Sequence, residues 1–253
     1  MSTLSPAHLD NSSDNFSMHS DEDTPVFTCA DPSSSYRKYF NCKKPSDVII
    51  KYGSKGANTF HGHRILLATQ SKYFDELFTQ MPMDVKETTL EGDGPEMVEV
   101  ILKLAYGHQP QSPTLEGTLE NVIFAIQLFQ ISAKYDFSEF EELAVTGFTV
   151  CLSRFIHKTA KGQGPTFVEL TTIVKSVYGI AKAGRLVESL IQIITTNPHV
   201  CAFRTWDSLS LLILGVAQQE PRFEGSLCEE LWKVRLSEHE ALDASVAEMS
   251  GTS

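Results

Sequence analysis

Strand-like runs in this chain are few and short, and that confines any sheet to a small part of the fold. The run Val48-Ile49-Ile50-Lys51-Tyr52 is β-branched and aromatic, as a strand requires. Gly53-Ser54-Lys55-Gly56-Ala57-Asn58 closes it with turn formers, and Thr59-Phe60-His61 resumes as a second strand, so a β-hairpin is predicted. Past Arg64 the spacing changes to three and four. Ser71 is placed as the N-cap of a helix carrying Tyr73, Phe74, Leu77 and Phe78 on one face, with Asp75 and Glu76 in its first turn.

Thr88-Thr89-Leu90-Glu91 is one further short strand, and Gly94-Pro95-Glu96 opens a helix whose stripe ends at Gly107. Val122, Ala125, Ile126, Phe129 and Ala133 share the face of the next helix. Ser138 and Glu141 then stand at capping-box spacing, as do Thr166 and Glu169 ahead of the stripe Phe167, Leu170, Val174, Val177, Tyr178 and Ala181. Leu186, Leu190 and Ile194 continue as a helix that stops before Asn197-Pro198. Further helices are expected over residues 206–218 and 224–236. A hairpin, one more strand and then helices make an α+β domain with an all-helical C-terminal region.

Residues 1–35 carry too few periodic apolar groups to offset the entropy of ordering, and a disordered tail is expected there. Residues 158–164 read as a linker, residues 165–238 as a helical extension and residues 239–253 as a flexible tail.

The formal net charge of −11 argues against nucleic-acid binding, which needs a surplus of Lys and Arg. The pairs Arg37-Lys38 and Lys43-Lys44 are read as solvated surface. Five scattered cysteines without a Cys-x-x-Cys pair point to reduced thiols in an intracellular protein of the cytoplasm or nucleus. The first residues lack the apolar core of a secretion signal. The longest strongly apolar run, residues 209–217, falls short of the ~20 residues that span a bilayer, so no membrane partner is expected.

His61-Gly62-His63 puts two imidazoles on one side of an extended segment, but no Cys, Asp or Glu cluster stands beside them to complete a metal site. His63 is assigned a structural role at the strand-to-helix junction. Gly162-Gln163-Gly164 lacks the following Lys and hydroxyl residue of a phosphate loop, and no Gly-x-Ser-x-Gly elbow occurs. Neither an enzyme nor a cofactor is predicted.

Several short pieces, in order and spacing, resemble the BTB/POZ domain family. They are Ser46-Asp47-Val48-Ile49-Ile50, the run from Phe60 through His63-Arg64 to Ala68, the run from Ser71 to Phe78, and Leu90-Glu91-Gly92-Asp93 with the helix that follows. Ala133-Lys134-Tyr135-Asp136 is similar to a later segment of the family, with Lys134 displaced from the usual acid-base pair. The resemblance covers residues 40–155 and implies a small, mostly antiparallel sheet flanked by helices. It also implies an interaction module that works as an adaptor or scaffold. The helical remainder resembles the extension of fungal-type BTB proteins, with Val177-Tyr178 and Pro221-Arg222-Phe223 as its markers.

By the same resemblance, Asp47 and Arg64 occupy positions that share a charged pocket in BTB transcription regulators, or else form a buried ion pair that fixes the fold. Val85-Lys86-Glu87 is similar to the apolar-x-Glu motif with which some BTB adaptors contact a cullin. Its apolar side chain would fill a pocket on the partner, and its carboxylate would accept hydrogen bonds. The resemblance thus implies protein partners, including a cullin of a ubiquitin ligase; the alternative is a regulator of transcription or assembly with no ligase role. Before Asp47, residues 36–45 offer one helical turn with Tyr36, Tyr39 and Phe40 as anchors, and no alternating run that would serve as an exchanged strand. A monomer or weak dimer is therefore expected.

Overall fold

A computed structural model describes residues 35–108, 116–158, 164–197 and 208–250. The expected tail, except for Ser35, lies outside these residues, as do most of the expected linker and residues 251–253.

Three strands form one sheet in the order β2-β1-β3. The central strand β1 (Val48–Tyr52) alternates buried and half-buried positions, so Val48, Ile50 and Tyr52 face the core. β2 (Asn58–Gly62) pairs with it antiparallel, Val48 opposite Gly62 and Tyr52 opposite Asn58. The turn between them needs positive φ at Gly53 (+77°), which glycine adopts without a steric penalty. β3 (Glu87–Leu90) runs parallel to β1, with Ile49 opposite Glu87. The hairpin is thus antiparallel as expected, while the third strand makes the sheet mixed. A parallel partner needs a crossover, and two helices supply it.

These are α1 (Arg64–Ala68) and α2 (Lys72–Gln80). The Ser71 hydroxyl caps α2 by accepting from the Phe74 N–H at 3.1 Å. α3 (Pro95–Ala105) starts on its proline and carries five buried residues. α4 (Leu119–Lys134) and α5 (Ser138–His157) pack as a long hairpin. Gly117, just ahead of α4, lies so close to the backbone of Arg154 and Phe155 that an added Cβ would sit 2.3 Å from the Phe155 nitrogen.

The C-terminal half consists of α6 (Phe167–Tyr178), α7 (Gly184–Thr195), α8 (Ser208–Gln219) and α9 (Pro221–Ser250). Thr166 and Glu169 form the expected capping box. Ser138 does not cap α5: the N-cap is Phe137, with no side-chain bond. Phe137 is buried and stacks on Phe140 at 5.0 Å, so core packing rather than the hydroxyl fixes where the helix begins. α9 runs on to Ser250, well past residue 238. No Gly or Pro interrupts residues 226–250, and Ala, Leu and Glu there favour the helix.

The core is one continuous apolar cluster. Phe60, Phe74, Tyr106, Tyr135, Phe137 and Phe148 fill its first half, and Leu170, Val174, Leu186, Leu190 and Phe223 fill its second. α6 packs on α4, and α7 packs on α5, so the helical half leans directly on the α4–α5 hairpin. Among the described residues no helix is long and apolar enough to cross a membrane.

Candidate functional site

Asp47 and Arg64 come together, but not as a carboxylate–guanidinium pair. Asp47 is exposed, and its Oδ1 accepts from the backbone N–H of Arg64 at 2.8 Å. The first N–H groups of a helix have no partner within it, and here the carboxylate of a strand-leading residue satisfies one of them. The guanidinium goes elsewhere: it donates to the Val85 carbonyl and lies 5.7 Å over the Phe78 ring.

This cross-link holds the α2–β3 connection. The Val85 N–H donates to the Pro82 carbonyl at 3.1 Å, and the Lys86 carbonyl accepts from the Ile49 N–H at 2.7 Å. The segment is thus tied to itself, to β1 and to α1. Its outward side carries two apolar groups, Met83 at 89% exposed and Val85 at 41%, interleaved with the exposed charges of Asp84 and Lys86. Ile65, next to Arg64 on α1, is 68% exposed. Arg64 therefore joins the helix bearing Ile65 to the segment bearing Met83 and Val85. Glu87 follows as the first residue of β3, where its carboxylate is held by Lys51 Nζ at 2.6 Å across the sheet. Val85 and Glu87 are both accessible, yet the carboxylate already has a cationic partner.

His63 lies inside the fold. Its backbone N–H donates to the Tyr106 hydroxyl at 2.9 Å, and its Nδ1 shares a 2.8 Å hydrogen bond with the same oxygen. Burial pushes the Tyr106 phenol well above its ordinary range, so it remains protonated. Tyr39 and Phe40, from the 3-10 turn Ser35–Tyr39 and the residue after it, cover this junction. Tyr39 packs on His63 at 5.8 Å, and Phe40 packs on Phe60 at 5.1 Å and on His108 at 5.0 Å.

A second polar lock joins two of the segments singled out in the sequence. Asp93 accepts from Tyr135 Oη at 2.5 Å and from Lys134 Nζ at 2.6 Å, and Lys134 also donates to the Glu91 carbonyl at 3.1 Å. Burial first, and the bond to Asp93 second, push the Tyr135 phenol up. The Tyr135 carbonyl in turn accepts from Ser71 Oγ at 2.6 Å. Lys134 is displaced in the sequence pattern but reaches the acid from its own position. The signal for this lock was an acid after a Gly in one piece and a Lys-Tyr pair in another, and spacing alone does not connect pieces 41 residues apart.

Residues 36–140 match the family model of the BTB/POZ domain. This segment is a BTB/POZ domain. No curated protein matches the chain. The BTB/POZ domain is a protein–protein interaction module, and the face around Arg64 lies within it, together with the His63–Tyr106 junction and the Asp93 lock. Its matched span ends inside α5, at the third residue of that helix.

The C-terminal markers also meet. The rings of Tyr178 and Phe223 pack edge to face at 6.2 Å, and Arg222 lies 5.5 Å over the Tyr178 ring. Val177-Tyr178 ends α6 and Pro221-Arg222-Phe223 opens α9, so the two motifs form the joint that seats α9 on the bundle.

Proposed function

We propose that the chain is a non-enzymatic adaptor or scaffold, and that its BTB/POZ domain holds a cullin of a ubiquitin ligase through the face formed by Ile65, Met83 and Val85. The observation that carries this reading is the pairing of exposed apolar side chains with a fixed backbone. Met83 and Val85 project from a segment anchored by Arg64, Ile49 and Pro82. Apolar groups held in place before binding lose little entropy on association, which is what an interaction hot spot requires. Asp47 and Arg64 act here as a positioning pair for that segment rather than as a charged pocket.

One feature favours the alternative, a regulator of transcription or assembly without ligase function. Glu87 would have to exchange Lys51 for the partner's donors, whereas in a cullin contact its carboxylate is the second anchor. Affinity capture from cell extract with the double variant Met83→Asp/Val85→Asp decides between the two. Cullin recovery is expected to fall at least tenfold while thermal stability stays within a few degrees, as for most surface changes. Absence of cullin from the unmodified protein's partners, with chromatin or assembly factors recovered instead, would establish the alternative.

A further inference from the structure

We infer that α6 and α8 together form a self-association face, through which two copies of this chain pair about a two-fold axis. This pairing is independent of the Arg64 face. Phe167 and Val168 open α6, and Leu211 and Leu214 lie in the middle of α8. All four are exposed, Val168 by 71% and Leu211 by 53%. They belong to one surface. A Cβ added at Gly215 would sit 3.0 Å from the Phe167 ring, so that ring lies across α8 at Gly215. Leu214 immediately precedes Gly215, and Leu211 stands one turn before it, about 40° round the helix. Thr171 and Thr172 extend the surface along α6. Their hydroxyls donate back to the carbonyls of Phe167 at 2.7 Å and Val168 at 2.8 Å, so neither needs an acceptor from outside.

Charge selects the occupant. α8 has no ionisable residue from Ser208 to Gln219. On α6 the Glu169 carboxylate is taken up by the N–H and the hydroxyl of Thr166, both at 2.7 Å, and Lys175 lies two turns beyond Phe167. A face without charge is matched by a surface that is also uncharged, because a charged group set against it would lose water and gain no partner. The other exposed large apolar groups among the described residues all stand next to charges in the chain. Tyr36 is beside Arg37, Ile65 beside Arg64, Met83 and Val85 beside Asp84, and Trp232 and Leu236 beside Lys233 and Arg235. The complement to α6 and α8 is thus the same face of a second copy. Two chains that each carry a net charge of −11 can meet there without forcing free carboxylates together. A two-fold contact of this kind closes at two copies. Helices of 12 residues give a face about 18 Å long. Two such faces bury on the order of 1,000 Å², the lower limit for a specific interface, so the dimer is expected to dissociate at about 50 µM.

Sedimentation velocity on the full chain, from sub-micromolar to several hundred micromolar, tests this. A monomer–dimer equilibrium is expected, and it should tighten at least twofold as salt rises from about 50 to 500 mM, because the two net charges repel. The double variants Leu211→Glu/Leu214→Glu and Leu211→Lys/Leu214→Lys should each weaken it at least tenfold. An equimolar mixture of the two should associate at least tenfold more tightly than either alone, since only a face that meets its own copy brings the opposite charges together. Far-UV circular dichroism checks each fold. If either double variant proves misfolded, Val168→Glu and Val168→Lys take their place, since Val168 is the most exposed of the four. A monomer at every concentration would overturn the inference. So would a dimer indifferent to these variants, a mixture no tighter than its components, or an association that weakens as salt rises.

Discussion

The BTB/POZ half and the helical half are held together by different means. The first half is crossed by hydrogen bonds between residues far apart in sequence: Ser71 to Tyr135, Tyr135 and Lys134 to Asp93, His63 to Tyr106, and Arg64 to Val85. The second half relies on apolar helix stripes, and its side-chain bonds are mostly local, such as Thr171 to the Phe167 carbonyl and Lys233 to Glu229. Its one long-range ion pair in the described residues, Arg185 to Glu142 on α5 at 2.5 Å, is exposed and contributes little. Polar bonds have direction and specify one geometry; apolar contact tolerates small shifts. The face proposed for binding accordingly sits where geometry is fixed.

Core truncations should expose this contrast most strongly. Phe74 is fully buried and touches the rings of Tyr73, Phe78, Tyr135 and Phe137. Phe74→Ala is expected to cost about 3–5 kcal/mol, and Leu190→Ala on α7 about 2–5 kcal/mol. Urea denaturation measures both. Hydrogen exchange at residues 82–87 should rise in the first variant beyond what its stability loss explains, and stay unchanged in the second. An equal response would break the comparison.

The two helix caps give a smaller, sharper contrast. Ser71→Ala removes a cap and also strips the buried Tyr135 carbonyl of its donor, so a loss of about 1–3 kcal/mol is expected. Thr166→Ala removes an exposed capping box and should cost about 1 kcal/mol or less. Equal losses in denaturant melts would mean that the bond to Tyr135 adds nothing.

The smallest effect concerns pH. Burial lowers the pKa of His108, and the charges of Arg37 and Lys103 lower it further, against the opposing hydrogen bond with Arg37's backbone. A depressed histidine contributes stability above its unfolded pKa of about 6.5 and loses that contribution as pH falls through the folded value. Between pH 7 and pH 5 the seating of Phe40 on His108 should loosen slightly, and His108→Phe should remove the dependence. Thermal melts over that range, compared between the two proteins, check it.

Much of this contrast was legible in the sequence. The hairpin follows from Val48-Ile49-Ile50 and its glycine turn, and α6 from the Thr166/Glu169 box, because both depend on neighbours in the chain. What was not legible depended on distant partners. Ser138 and Glu141 have the same spacing as Thr166 and Glu169, yet the burial of Phe137 decides the start of α5. Asp47 and Arg64 suggested an ion pair because a sequence shows charges and not the unpaired N–H at a helix start. The parallel run of β3 and the engagement of Glu87 by Lys51 likewise arise only once the crossover has folded.

The α4–α5 hairpin has a consequence for modularity. α5 presents Phe148, Cys151, Leu152 and Phe155 to the interior, and it packs on α4 on one side and on α7 on another. The recognisable domain ends at residue 140, but the helix that completes it continues to His157 and is also the floor of the following bundle. A fragment cut at the family boundary would lose most of the partner that α4 packs against. In this chain the interaction domain has been grafted onto its extension through a shared wall, so neither half can be passed to another protein without rebuilding that wall.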